Sequence, residues 1–405
     1  MSTQTKRLGA VLSLCWLTYT VAYLCRLNIS TALDKLSVGM GVSLEYLGVA
    51  SSVYFVVYAC GQLLNGIIGD RVNPHRFLML AALMTGGINV FLGLQDSGTL
   101  FLLFWGVNGF CQSMFWGTLL RLLSVYAEDH QRKNVSTIMS TCSVTGYLLS
   151  WVVLSGAFQP CTYRPYFVVP GVIALLLVAA WFVMSRLLPF DQSNAQRAPT
   201  PPLPVAAREF LHDRLFYICL LCMVVGAIQE GAVFWLPMIF TDVLQFGEGS
   251  LLLLMAIPLA KLAGVFLARR VLSLCKDNVR TAMIRMLLSA CALSVVLVLT
   301  TRRTSLATVL LIAALIAVIN AANWYMISYL PLYFSERNMV ATLGGVFDFS
   351  TYMGASCVSG VLGILLLRFG WAALPLMWLA LTLSALLLGL GGAGECLLRR
   401  GQRRA

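Results

Sequence analysis

Residues 189–214 read PFDQSNAQRAPTPPLPVAAREFLHDR, the longest polar interruption in an otherwise apolar chain. Clustered Pro, Ala and polar side chains offer no continuous face to bury, so the segment reads as a surface linker. What flanks it decides the fold. Six apolar windows precede it, at approximately 8–36, 44–69, 77–95, 98–127, 134–158 and 165–188. Six follow, at 215–241, 247–273, 281–300, 305–334, 339–367 and 371–393. A helix of about 20 apolar residues spans a hydrocarbon core, and it satisfies its own backbone hydrogen bonds there. The expected fold is an all-α membrane protein with twelve transmembrane helices in two pseudo-symmetric six-helix bundles. The N-terminal bundle takes 1–188, a cytoplasmic linker 189–214, and the C-terminal bundle with a basic cytoplasmic tail 215–405.

Composition agrees. Of 405 residues, 59% are hydrophobic and 11% charged, with a mean hydropathy of +0.85. Soluble domains carry about 25% charged residues, which argues against a water-soluble enzyme. The start MSTQTKRLGAVLSL runs into the first window with no small-residue cleavage site, so it reads as a retained helix. Most of the twelve Cys lie inside apolar windows as small packing residues, the Cys219/Cys222 CxxC included. Three His and the absence of a nucleophile–base pair or phosphate loop in the sequence lead us to expect no metal, cofactor or catalytic residue.

The net charge of +12 is explained by location. With both termini cytoplasmic, only Lys35, Arg164, Arg302, Arg303 and Arg368 of the loop bases fall outside, and the Arg302–Arg303 pair is the awkward one. Arg26, Arg121, Lys261 and Arg285 fall within windows. That asymmetry is the signature of membrane orientation and of contact with anionic lipid, and it speaks against a nucleic-acid face. The halves also echo each other: Gly66-Ile-Ile-Gly-Asp70-Arg71 follows the second window, and Gly264-Val-Phe-Leu-Ala268-Arg269 follows the eighth. Duplicated halves around a central pathway are a common transporter plan.

Charge at mid-membrane costs roughly 2.5–3.5 kcal/mol on insertion scales, so each such residue needs a reason. Tyr19, Tyr23 and Arg26 share one helical face, and a guanidinium matches phosphate or carboxylate as a planar fork. Arg26 with two phenols reads as an anion site; snorkelling, or pairing with Asp34, is the structural alternative. Glu230 and Lys261 either pair with each other or face the pathway, Lys261 toward an anion and Glu230 toward a cationic group or proton. Gln112 and Trp116 are four apart and suited to line one cavity, and Asn320, Asn323 and Trp324 add polar and aromatic lining in the tenth window. Asp70, with Arg71 and Arg76 close behind it, suits a cytoplasmic ion-pair latch between helices. Arg121 reads as a gate or interface residue, and Asp348 as a cap or partner for the loop after the second window.

These residues resemble the major facilitator superfamily, and within it the organophosphate:phosphate antiporter family. The resemblance rests on Tyr23-x-x-Arg26-x-Asn28, Gly66-x-x-x-Asp70-Arg71-x-Asn73-Pro74 and Asn108-Gly-Phe-x-Gln112-Ser-x-x-Trp116. Gly231-x-x-x-Trp235-x-Pro237 and Asp348-Phe-x-x-Tyr352-x-Gly354-Ala extend it. It implies a phosphate-binding role for Arg26 and exchange against inorganic phosphate. Two departures matter: the family's second Arg aligns with Gln229, and its His in the fifth span is replaced by Ser143. Lys261 is the candidate to restore the missing positive charge.

The expected function is secondary active transport of a small anionic, phosphorylated metabolite, with phosphate or a proton as coupling ion and the lipid bilayer as surroundings. A proton-coupled organic-anion carrier and a transporter-like membrane sensor of sugar phosphate are the alternatives. A monomer in a bacterial inner membrane is expected.

Overall fold

The computed structural model describes residues 3–158, 161–188, 215–232, 255–300, 306–332 and 339–393. The linker at 189–214, the basic tail, Trp235, Pro237 and Arg302–Arg303 lie outside the described residues, as does the side chain of Asp34. All regular structure among the described residues is helical. In chain order, the helices are α1 (Thr3–Thr31), α2 (Leu33–Met40), α3 (Leu44–Gly69), α4 (Pro74–Leu94), α5 (Gly98–Gln112), α6 (Phe115–Tyr126), α7 (Arg132–Leu148) and α8 (Arg164–Leu187). They continue with α9 (Leu215–Gly226), α10 (Ala256–Leu274), α11 (Val279–Thr300), α12 (Leu306–Trp324), α13 (Val340–Phe369) and α14 (Ala373–Leu390). Each of the twelve apolar windows holds one of these helices or a close pair of them. Among the described residues, seven helical spans are long and apolar enough to cross a membrane.

Local chemistry sets the ends. The Ser43 side chain accepts the Tyr46 N–H at the start of α3. Asn73 accepts the N–H groups of His75 and Arg76 at the start of α4, with Pro74 in the first turn where a missing N–H costs nothing. Gly41, at φ 65°, closes α2 in the left-handed region. The window at 98–127 is split: at Ser113 the hydroxyl donates to the Phe110 carbonyl at 2.6 Å, a back-bond that bends helices. The α5 and α6 pair is therefore one bent span. Among the described residues, three spans carry a π turn, at Leu149–Leu154, Ala227–Ala232 and Tyr325–Tyr329.

The chain groups into two compact units. The first comprises Met1–Thr200 with Pro331–Val346, and the second Pro201–Leu330 with Phe347–Ala405. Within the first, Phe101, Trp105 and Phe167 stack into an aromatic core between α5 and α8. A chain of amides crosses the same unit: Asn28 donates to Asn89 at 2.7 Å, Asn89 to Asn108 at 3.1 Å, and Asn108 to the Cys25 carbonyl at 3.1 Å. Each amide is fully buried, and in a low-dielectric interior such a satisfied chain fixes the register of α1 against α4 and α5. Arg164 and the Tyr163 hydroxyl both donate to Asp96, tying the end of α4 to the start of α8. In the second unit, Trp378 and Leu315 are buried, as are Ala290 and Leu297 of α11. Outward-facing Leu176, Leu299 and Leu387 suit lipid.

Residues 331–346 group with the first unit for a physical reason. A Cβ at Gly66 would lie 2.7 Å from the Ala341 carbonyl oxygen, and one at Gly117 would lie 2.9 Å from it. Only glycine lets α3, α6 and the start of α13 approach this closely.

Candidate functional site

Arg26 is held in the first unit by three helices. Its Nε donates to the Tyr54 hydroxyl at 3.0 Å and to Gln112 Oε1 at 3.3 Å, and the Tyr54 hydroxyl donates in turn to Gln112 Oε1 at 2.8 Å. The guanidinium carbon lies 4.3 Å from the centre of the Tyr58 ring and 4.8 Å from that of Tyr23. Aromatic faces at these distances stabilise a cation without neutralising it. Arg26 is only 5% exposed, so it does not snorkel into solvent. Sequence spacing put Tyr19, Tyr23 and Arg26 together; the rings of Tyr19 and Tyr23 do meet at 5.3 Å, and Tyr19 packs on Trp116 at 4.8 Å.

The Gln112 amide has a forced orientation. An arginine Nε only donates, so the Gln112 atom facing it is the oxygen, and Nε2 is the group left over. That Nε2 and the indole Nε1 of Trp116 find no acceptor among the described residues, although both are buried. A buried donor without an acceptor costs about 1–3 kcal/mol. The neighbourhood is thus a guanidinium accompanied by spare donors, a composition that suits an anion.

Tyr54 and Tyr58 were not singled out by sequence reasoning. The signal existed: Tyr54, Tyr58 and Gln62 recur every fourth residue along α3, and Gln62 Nε2 donates to the Tyr58 hydroxyl at 2.5 Å. A Cβ on Gly109 of α5 would lie 2.7 Å from the Tyr54 carbonyl, so this glycine permits the approach that brings Tyr54 to Gln112. Ser143 is half-buried on α7, and its hydroxyl donates to the Ser140 carbonyl at 3.2 Å on its own helix. From the same helix, Tyr147 packs its ring 5.9 Å from that of Tyr23.

In the second unit, Gln229 and Glu230 sit in the π turn Ala227–Ala232. Lys261 Nζ donates to Glu230 Oε1 at 2.7 Å, so the two intramembrane charges are paired. Gln229 Nε2 donates to Asn320 Oδ1 at 2.9 Å, and Asn320 Nδ2 to the Lys261 carbonyl at 2.6 Å. Asn323 is half-buried, and its Oδ1 finds no donor among the described residues. Asp348 is buried in α13.

The loop after α3 is built around Asp70. Its carboxylate accepts the backbone N–H groups of Ala341 and Thr342, and Arg121 Nε lies 3.9 Å away. Arg121 also donates to the carbonyls of Gly69 and Val72. Arg71 and Arg76, read as latch bases, are both exposed.

The Major Facilitator Superfamily model matches residues 15–324, and the chain belongs to that superfamily. Among curated relatives it is 28% identical over 178 residues to a probable hexose phosphate transport protein of Chlamydia trachomatis, covering 44% of this chain and 39% of the relative. It is 26% identical over 202 residues to the membrane sensor protein UhpC of Escherichia coli, covering 49% and 43%. With the glycerol-3-phosphate transporter of Bacillus subtilis it shares 22% identity over 256 residues, 56% of each protein. The chain thus matches only about two-fifths to just over half the length of these relatives. A solved structure of the proton:xylose symporter XylE superposes with a TM-score of 0.74 at 13% identity, covering 95% of both chains. The outward conformation of FucP gives 0.71 at 14% identity, covering 94% of this chain and 98% of that one. These two likenesses concern the fold.

Proposed function

We propose that this chain is a secondary active transporter of a small anionic, phosphorylated metabolite, working by alternating access and exchanging it for inorganic phosphate. The observation that carries the reading is the Arg26 cluster: a buried guanidinium among Tyr23, Tyr54 and Tyr58, with Gln112 Nε2 and Trp116 Nε1 as further donors. Charge-assisted bonds from such a fork are about twice as strong as neutral ones, and they match the geometry of a phosphate edge. The names of the relatives support the same class of cargo. In this reading Tyr19 and Ser143 border the site, and Asp70 with Arg121 biases the access state. The same reading puts both termini on the cytoplasmic side of a bacterial inner membrane, with the protein acting as a monomer; the excess of Lys and Arg in the loops assigned to that side supports the orientation.

Similarity to a relative named as a membrane sensor supports a second reading, in which the same site reports sugar phosphate without carrying it at high flux. Counterflow of labelled phosphate into proteoliposomes loaded with phosphate separates the two. Exchange abolished by Arg26→Ala supports the transporter. Saturable phosphate binding without exchange supports the sensor. Neither binding nor exchange, from folded protein, removes the phosphate reading and leaves proton-coupled organic-anion transport.

A further inference from the structure

Gln229, Asn320, Lys261 and Glu230 form a connected ring whose hydrogen-bond directions are fixed from one end. A backbone carbonyl can only accept, so the Asn320 atom facing the Lys261 carbonyl is its nitrogen, and Asn320 Oδ1 must be the acceptor on the other side. The Gln229 atom facing that oxygen is then its nitrogen. What the ring leaves over is an acceptor: Gln229 Oε1, on a side chain only 8% exposed, finds no donor among the described residues. At the other end, Glu230 is the ring's most open member, with 27% of its side chain exposed against 7% for Lys261. The carboxylate brings more acceptor capacity than the bond from Lys261, its partner among the described residues, consumes.

The electrostatics narrow the ligand. Lys261 and Glu230 cancel at 2.7 Å, so the ring carries no net charge and offers neither an anion nor a cation a strong field. A neutral ring with spare acceptors is complementary to neutral donors. The backbone supports a functional origin as well: Gln229 and Glu230 are adjacent residues that reach α12 and α10 at once because the helix widens into a π turn. Such turns cluster at functional sites.

We infer that this ring is a binding subsite of the second unit for hydroxyl groups of a polyol or carbohydrate, with Gln229 Oε1 and the Glu230 carboxylate as acceptors. It assigns Lys261 to holding Glu230 in place, in contrast to the expectation that Lys261 meets an anion directly. The inference goes beyond the anion reading and does not depend on it, because phosphate and polyol binding are separate measurements.

The test is saturation-transfer NMR on the purified full chain, with xylitol as a neutral polyol, 1,5-pentanediol as its hydroxyl-poor counterpart and ethanolammonium as a cationic donor. Saturable xylitol binding is expected, stronger than that of the diol, and Gln229→Met should weaken it about fivefold to tenfold, as loss of one neutral hydrogen bond does. Gln229→Glu keeps an acceptor but makes the ring anionic, and is expected to turn preference toward ethanolammonium. Misfolded protein cannot mimic that gain. No saturable xylitol binding, or xylitol binding that Gln229→Met leaves intact, overturns the proposal. A wild-type preference for ethanolammonium also overturns it, in favour of a cation subsite.

Discussion

Asp70 Oδ2 accepts the backbone N–H of Thr342 at 2.7 Å while its Oδ1 accepts that of Ala341 at 3.0 Å, so a carboxylate 271 residues distant in sequence from Ala341 caps α13. The first N–H groups of a helix have no partner within it, and together they carry partial positive charge. A buried carboxylate placed on two of them satisfies both needs. Side-chain caps stabilise by about 0.5–2 kcal/mol, and Asp70→Ala is expected to lower stability by an amount toward the upper end of that range. Thermal unfolding in detergent, followed by the near-ultraviolet signal, measures it; an unchanged midpoint would contradict the capping role.

The same carboxyl makes the cap sensitive to pH. Burial pushes Asp70 from its ordinary 3.8 up to about 6, against the pull of the Thr342 and Ala341 bonds and of Arg121. A raised carboxyl binds its proton more tightly in the capped state than in an opened one. The capped state therefore gains stability as pH falls through about 6 toward the ordinary value, and loses that gain as pH rises again. Wild-type unfolding temperature is expected to climb relative to Asp70→Asn between about pH 7 and about pH 5. Parallel profiles for the two proteins would rule this out.

At Arg26, shape matters as much as charge. Arg26→Lys keeps the cation but loses the Nε donor shared by Tyr54 and Gln112. Losing one charge-assisted bond costs about 1.5–3 kcal/mol, a drop in phosphate affinity of roughly tenfold or more. Equilibrium binding of labelled phosphate decides it, and retention of wild-type affinity in the lysine variant would mean that the fork is not used.

Tyr54→Phe tests the support beneath that fork. The hydroxyl accepts from Arg26 and donates to Gln112, so its removal frees the arginine to shift while leaving the ring stack intact. Phosphate affinity is expected to fall several-fold, at a stability cost of about 1 kcal/mol. A loss of stability with affinity unchanged would place Tyr54 in packing alone.

The Lys261–Glu230 pair predicts an asymmetry. Glu230→Gln removes the carboxylate that pairs with a lysine only 7% exposed, whereas Lys261→Met removes the partner of a glutamate with 27% of its side chain open. Breaking a buried pair costs about 3–5 kcal/mol, and the more deeply buried survivor should bear more of it. Glu230→Gln is expected to be the more destabilising change, with the double variant Glu230→Gln/Lys261→Met recovering part of the loss. Chemical denaturation of the four proteins gives the coupling, and the reverse order would contradict it.

Much of this was legible in the sequence because lipid imposes a strict rule on length and polarity. The window at 44–69 coincides with α3, and those at 77–95 and 165–188 fall within a few residues of α4 and α8. Arg26 stood out because a charge inside an apolar window is rare. Tyr54 and Tyr58 did not, since a tyrosine in an apolar helix looks like any other packing residue until its neighbours are known. Asn89 was hidden in the same way: its partners Asn28 and Asn108 belong to two other helices. The cap at Asp70 was anticipated as an ion-pair latch. Its main acceptor bonds go to backbone N–H groups, and those leave no mark in side-chain identity.

The π turn at Ala227–Ala232 also bears on how this chain can change over evolutionary time. A π turn holds one residue more than the α-helical turn it replaces, so deleting a single residue there would restore the regular helix with its flanks in place, while shifting the residues of the turn itself by about 100° around the axis. Gln229 and Glu230 would then face different neighbours, although every other amino acid remained. Point substitutions in this stretch can be absorbed one bond at a time, whereas a one-codon deletion would dismantle the whole ring at a stroke. A shuffled descendant that kept the ring would have to inherit the extra residue together with Lys261 and Asn320.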